Sequence, residues 1–108
     1  MAKTVHKNLL GGVGEVIIDD IDSAKNISEK CTLFAVVTIP ANSSLGYHEH
    51  HGECETYYIL SGVGEYDDNG VKRTIKEGDV TVTPNGKGHG LKNIGTEPVK
   101  FLAVIIKD

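Results

Sequence analysis

The sequence has no tryptophan and only two cysteines, Cys31 and Cys54, in 108 residues. Two thiols do not make the disulfide framework of a small secreted domain, so a reducing, cytoplasmic setting is expected. Without tryptophan or a large aromatic cluster there is no marked platform for stacking a sugar. Positive charge is also thin. Eleven Lys and Arg stand against fifteen Asp and Glu, a net charge of −4, and the basic residues are scattered. Nucleic acid and anionic membranes select clustered positive surfaces, so neither is an expected partner. No apolar run approaches the length of a membrane span, and the N-terminal residues "MAKTVHKNLLGGVGEVIIDD" hold no apolar core of signal-peptide length. The length suits a single domain, with a barrel over about 15–106 behind an N-terminal arm of about 1–14.

Glycine, by contrast, is plentiful. Thirteen glycines, with Pro40, Pro84, Asn69-Gly70 and Pro84-Asn85-Gly86, imply many tight reversals. Between them lie short runs rich in β-branched and aromatic residues: "EVIID" (15–19), "TLFAVVTI" (32–39), "TYYIL" (56–60), "VTVT" (80–83) and "VKFLAVII" (99–106). Asn69-Gly70 supplies the two positive φ angles of a type I′ turn and should join "VGEYD" to "VKRTI" as a hairpin. The apolar strand at 99–106 implies burial on both faces. Only 20–31 can carry a helical turn, capped by Asp22 or Ser23, as a lid over the barrel mouth or a surface excursion. The pattern predicts an all-β fold, a sandwich or a small antiparallel barrel.

Three of the five histidines fall within "HEHH" at 48–51. In a strand, alternate side chains share a face, so His48 and His50 point one way while His51 faces outward. A hairpin return would bring Glu55 beside them, with Glu53 as a competing carboxylate if the loop is short. His89 follows the Pro84-Asn85-Gly86 turn. Three imidazoles and one carboxylate form a set suited to a divalent Mn, Fe, Ni or Zn ion with open positions. His6, near the terminus, is read as an ordinary surface residue in a frayed end.

Two longer patterns enclose these residues. "NSSLGYHEHHGECETYYILSG" places His48, His50, Glu55 and Gly62 at the spacings of the first cupin motif, with Asn42 where that motif has glycine. Asparagine tolerates a left-handed backbone best among non-glycine residues, so the loop can survive the change. "GDVTVTPNGKGHGLKN" matches the second motif throughout, at Gly78, Pro84, Gly86, His89 and Asn93. The chain therefore resembles the cupins, small β-barrel (double-stranded β-helix, jelly-roll-like) proteins. The resemblance implies that His48, His50, Glu55 and His89 hold a metal, and that motif glycines and proline shape the turns.

The parity of Glu55 extends to Tyr57, which should stand near the ion as a general base or hydrogen-bond donor, or simply as a core aromatic. Tyr58 and Tyr47 should face away. Leu91, with Phe101 or Leu102, should give the pocket an apolar wall, and Asn93 should face inward or bond a turn. Cupins of this kind include sugar-phosphate isomerases, dioxygenases, oxalate decarboxylases and C–S lyases. The resemblance thus implies a metal-dependent enzyme acting on a small polar metabolite, or alternatively a non-catalytic ligand-binding module. No convincingly inward Lys or Arg favours a phosphosugar. A small barrel with an exposed edge should pair as a homodimer, through its N-terminal strand or the face bearing Tyr58. Replacing His89 by alanine should cut metal affinity at least about tenfold and leave the fold intact.

Overall fold

A computed structural model describes residues 2–108, with ten strands in two antiparallel sheets. The strands are β1 (Ala2–Lys7), β2 (Glu15–Asp20), β3 (Cys31–Ile39), β4 (Ser44–Glu49), β5 (Glu53–Ser61), β6 (Val63–Asp68), β7 (Val71–Lys76), β8 (Val80–Thr83), β9 (Gly88–Asn93) and β10 (Val99–Lys107). The larger sheet runs β1-β2-β3-β10-β5-β8 and the smaller β4-β9-β6-β7. Among the described residues, no helix is long and apolar enough to cross a membrane.

Alternation along the strands decides which residues enter the space between the sheets. Glu55, Tyr57 and Ile59 are buried on β5 while Tyr58 and Leu60 are exposed. On β10 Val99, Phe101 and Ala103 are buried, and together with Val37, Ile39, Tyr66, Ile75 and Leu91 they make one core. The expectation that 99–106 is buried on both faces does not hold. Lys100 is exposed, and Leu102 and Val104 are only half-buried on the outer face. β8 reverses the usual polarity: Thr81 and Thr83 point inward, and Val80 and Val82 outward.

Turn chemistry matches the expected hairpin. Asn69 and Gly70 adopt φ of 50° and 96°, and Asp68 pairs with Val71 across the turn. Asn42 takes φ of 63°, so the substitution for glycine is carried by the left-handed conformation that asparagine tolerates. The helical turn in 20–31 shrinks to α1 (Ala24–Ile27). Ser23 occupies its N-cap position without a side-chain bond, while Asp22 Oδ1 accepts from Ser23 N and Asn26 Nδ2. β1 is paired with β2, and His6, expected in a frayed terminus, sits opposite Val16.

Cys31 and Cys54 are both free, and both pair with Ile106 from opposite sides of β10. Two strand spacings, about 10 Å, separate their backbones, beyond the reach of a disulfide.

Candidate metal centre

β4 ends at Glu49, and the chain runs on so that His50 N donates to Lys87 O and Gly86 N to His50 O. These bonds tie the first histidine pair to the Pro84-Asn85-Gly86 turn that delivers His89. β4 and β9 then pair His48 directly with His89, and β5 carries Glu55 back beneath them. The side chains of His48, His50, Glu55 and His89 converge, with one donor atom from each lying within 4.8 Å of the others.

The spacing has the dimensions of a coordination shell. Ligands about 2.1 Å from an octahedral ion stand about 3 Å apart when adjacent and about 4.2 Å when opposite. His89 Nε2 lies 3.0 Å from His50 Nε2 and 3.1 Å from His48 Nε2. Glu55 Oε1 lies 2.9 Å from His89 Nε2, 3.0 Å from His50 Nε2 and 4.0 Å from His48 Nε2.

The other ring nitrogens fix the tautomers. His48 Nδ1 donates to the Gly46 carbonyl at 2.8 Å, and His50 Nδ1 to Glu53 Oε2 at 2.6 Å. Both acceptors require a proton on Nδ1, so when either imidazole is neutral its lone pair lies on Nε2. His89 Nδ1 meets the hydroxyls of Thr83 at 2.8 Å and Tyr66 at 2.9 Å. Lone pairs and a carboxylate oxygen aimed at one point suit a cation, and the donor set fits a divalent transition metal.

Charge follows the same geometry. Burial works to raise the Glu55 carboxyl, but the nearby imidazoles of His48 and His89 and the charges of His89 and His50 bring it down to about 2. Burial lowers His48, yet the Glu55 carboxylate beside it and the bond to the Gly46 carbonyl leave it raised on balance. His89, wholly buried, is lowered first by burial despite Glu55.

Tyr57 is buried with its hydroxyl 3.4 Å from His89 Nε2, and its ring stacks on that imidazole. Burial, then the Glu55 charge and Tyr66, hold the phenol well above its ordinary range. The shift favours the protonated phenol. Tyr58 and Tyr47 are exposed, as expected. His51 is exposed and bonds Glu49. Asn93 is buried in a turn-bonding role: its Nδ2 donates to Ile39 O and Glu97 O, and its Oδ1 accepts from Gly95 N.

A cavity of about 120 Å³ adjoins the centre at Glu55 and Tyr57. Phe101 lines it as expected; Leu91 lies in the core instead, and Leu102 is on the outer face. A wider cleft of about 910 Å³ lies at the other end of β5, around Ser61, Glu77 and Thr96, away from these residues. Sequence reasoning missed Tyr66 and Thr83 as supports of His89, and treated Glu53 only as a rival of Glu55. Glu53 shares the parity of Glu55, which was the available signal.

Comparison with known proteins points the same way. Residues 35–105 match the cupin domain family. An oxalate-binding protein of Thermotoga maritima is 46% identical over 99 residues, covering 92% of this chain and 82% of that protein. The oxalate decarboxylase of Bacillus subtilis is 32% identical over 100 residues, which is 88% of this chain but only 26% of that enzyme. A Thermotoga maritima crystal structure, described as a predicted oxalate decarboxylase, superposes with a TM-score of 0.96 at 42% identity, covering 100% of this chain and 94% of that one. A cupin domain from Schizosaccharomyces pombe superposes with a TM-score of 0.78 at 19% identity, covering 97% and 69%, a likeness of fold alone.

Proposed function

The chain belongs to the cupin family, and from that premise we propose that it binds a small carboxylate of the oxalate class at a divalent metal held by His48, His50, Glu55 and His89. The observation that carries this reading is the convergence of those four donor atoms beside a small apolar cavity. The similarity to an oxalate-binding protein supplies the ligand class. The metal, when bound, supplies the positive charge that an anionic ligand needs. No Lys or Arg lines the cavity, so phosphosugars, which want such cations, fit poorly. Tyr57, kept protonated, donates a hydrogen bond to a ligand oxygen, and the apolar wall excludes water.

Turnover is the second reading, as a metal-dependent decarboxylase, isomerase, dioxygenase or lyase with Tyr57 in the proton-transfer role. It is favoured by the similarity to an oxalate decarboxylase and by the position of Tyr57. Binding is preferred because Tyr57 and the ligand Glu55 are the only proton-carrying side chains lining the cavity. Calorimetry of the Mn(II)-loaded protein with oxalate should show saturable binding that disappears after metal removal, with no formate or carbon dioxide released. Binding that survives removal of the metal counts against the site; product release moves the assignment to turnover.

The partner expected is a second copy. Tyr58, Leu60, Val80 and Val82 leave the outer face of the larger sheet apolar and exposed. In a two-fold interface a surface meets itself, and these uncharged residues bring no like charges together. Sedimentation should give the mass of a homodimer in the cytoplasm-like reducing buffer assumed for this protein; the mass of a single chain would refute the pairing.

A further inference from the structure

A segment outside both motifs forms one wall of the cavity beside the metal centre. Between β1 and β2 the chain forms a closed loop, Asn8–Gly14, with Asn8 N donating to Gly14 O at 2.9 Å. The loop is fastened along β4: Ser44 N donates to Val13 O at 2.8 Å and Val13 N to Ser44 Oγ at 2.9 Å. Two glycines allow the contact to be this close. A Cβ on Gly12 would stand 2.1 Å from Ser44 O, and one on Gly46 would stand 1.9 Å from Leu10 O. Backbone meets backbone there, and neither position has room for any side chain.

The closed loop carries Leu9 and Leu10 over the cavity, facing Leu45, Phe101, Glu55 and Tyr57. Leu9 packs against the core, whereas Leu10 is half-exposed at the rim. Leu10 also holds φ of 54° and ψ of 33°. This left-handed conformation is unfavourable for so large a side chain and persists only where the surroundings impose it. The space left is about 120 Å³. That is about four water molecules at liquid density, well below the ~300 Å³ at which ordinary small-molecule pockets begin.

We propose that Asn8–Gly14 is a lid over the metal-side cavity and that Leu9 and Leu10 determine specificity, restricting the ligand to a dicarboxylate with no carbon chain between its carboxyl groups. The inference rests on the metal-site reading above. Oxalate fits under the closed lid with its carboxylates toward the metal side. Malonate and succinate add methylenes that must displace Leu9 or Leu10.

The test uses the full chain loaded with Mn(II) and titrated calorimetrically with oxalate, malonate and succinate, beside Leu10→Gly and Gly12→Ala. Leu10→Gly removes the side chain and suits the positive φ. Gly12 lies at φ −76° and ψ −174°, so alanine is compatible with its backbone, and the new methyl acts only by forcing the loop off β4. The wild type should prefer oxalate over each longer acid by about tenfold or more per methylene. Both variants should keep their Mn(II) while that preference falls to within about threefold. Full Mn(II) loading with an unchanged preference in both variants overturns the lid and leaves the metal site standing. Failure of every protein, wild type included, to take up Mn(II) overturns the metal-site reading and the lid with it.

Discussion

Replacing His89 by alanine is expected to lower Mn(II) affinity at least about tenfold and to cost about 2–4 kcal/mol of stability. The second effect departs from the sequence-based expectation of an intact fold. His89 is wholly buried, its ring stacked on Tyr57 and its Nδ1 held by Thr83 and Tyr66. Alanine leaves a void between the sheets and takes one partner from each hydroxyl, although these still bond each other at 3.0 Å. Glu55→Gln should separate the two effects. It keeps the volume and removes the charge, so metal affinity falls with little loss of packing. Glu53→Gln should behave more mildly, since Glu53 only orients His50 through Nδ1. A loss of at most about tenfold in affinity is expected there. Calorimetric titration and denaturant unfolding of the three variants check the order. Equal affinities across the series would mean that the ion sits elsewhere.

Metal stabilisation should depend steeply on pH. His48 is raised above its ordinary 6.5, so in the metal-free protein its contribution is full below about 6.5 and lost as pH rises through the raised value. Glu55, at about 2 instead of 4.5, contributes above about 4.5 and loses that contribution as pH falls through about 2. Between these limits the metal-free centre favours a protonated His48 facing an ionised Glu55. Metal binding has the opposite demand, because it needs the lone pair on His48 Nε2, and so it must displace that proton. At pH 8 and a thousandfold excess over Kd, Mn(II) should raise Tm by roughly 15 °C. At pH 5 the rise should shrink to within about 3 °C, as protons occupy the imidazoles. Thermal scans with and without Mn(II) at the two pH values decide the matter. Equal gains would show that no histidine among the four gives up a proton to the ion.

Much of this centre was legible in the sequence, because its geometry follows from strand parity and turn residues. His48, Glu55 and Tyr57 lie where a period of two places them, and Asn42 and Asn69-Gly70 adopt the backbone their side chains permit. What stayed hidden depends on contacts between distant strands. Nothing local in "VTVT" says which pair enters the core; Thr83 turns inward, where His89, six residues on, gives its hydroxyl a partner. Tyr66 comes to His89 only through the pairing of β6 with β9. β10 reads as buried on both faces because its apolar run is unbroken, whereas the outer residues lie on the open side of the larger sheet. The Asn8–Gly14 loop gave no local signal either. Its glycines mark a turn, but their tight contact with β4 depends on Gly46, far along the chain.

The measurement that bears most directly on the metal centre is elemental analysis of protein purified without a metal-affinity column and reconstituted with Mn(II). One ion per chain in the wild type, lost in Glu55→Gln while the circular dichroism of the sheets is unchanged, is the result expected. A wild-type chain that holds no ion after reconstitution, or a Glu55→Gln chain that keeps a full equivalent, would contradict it.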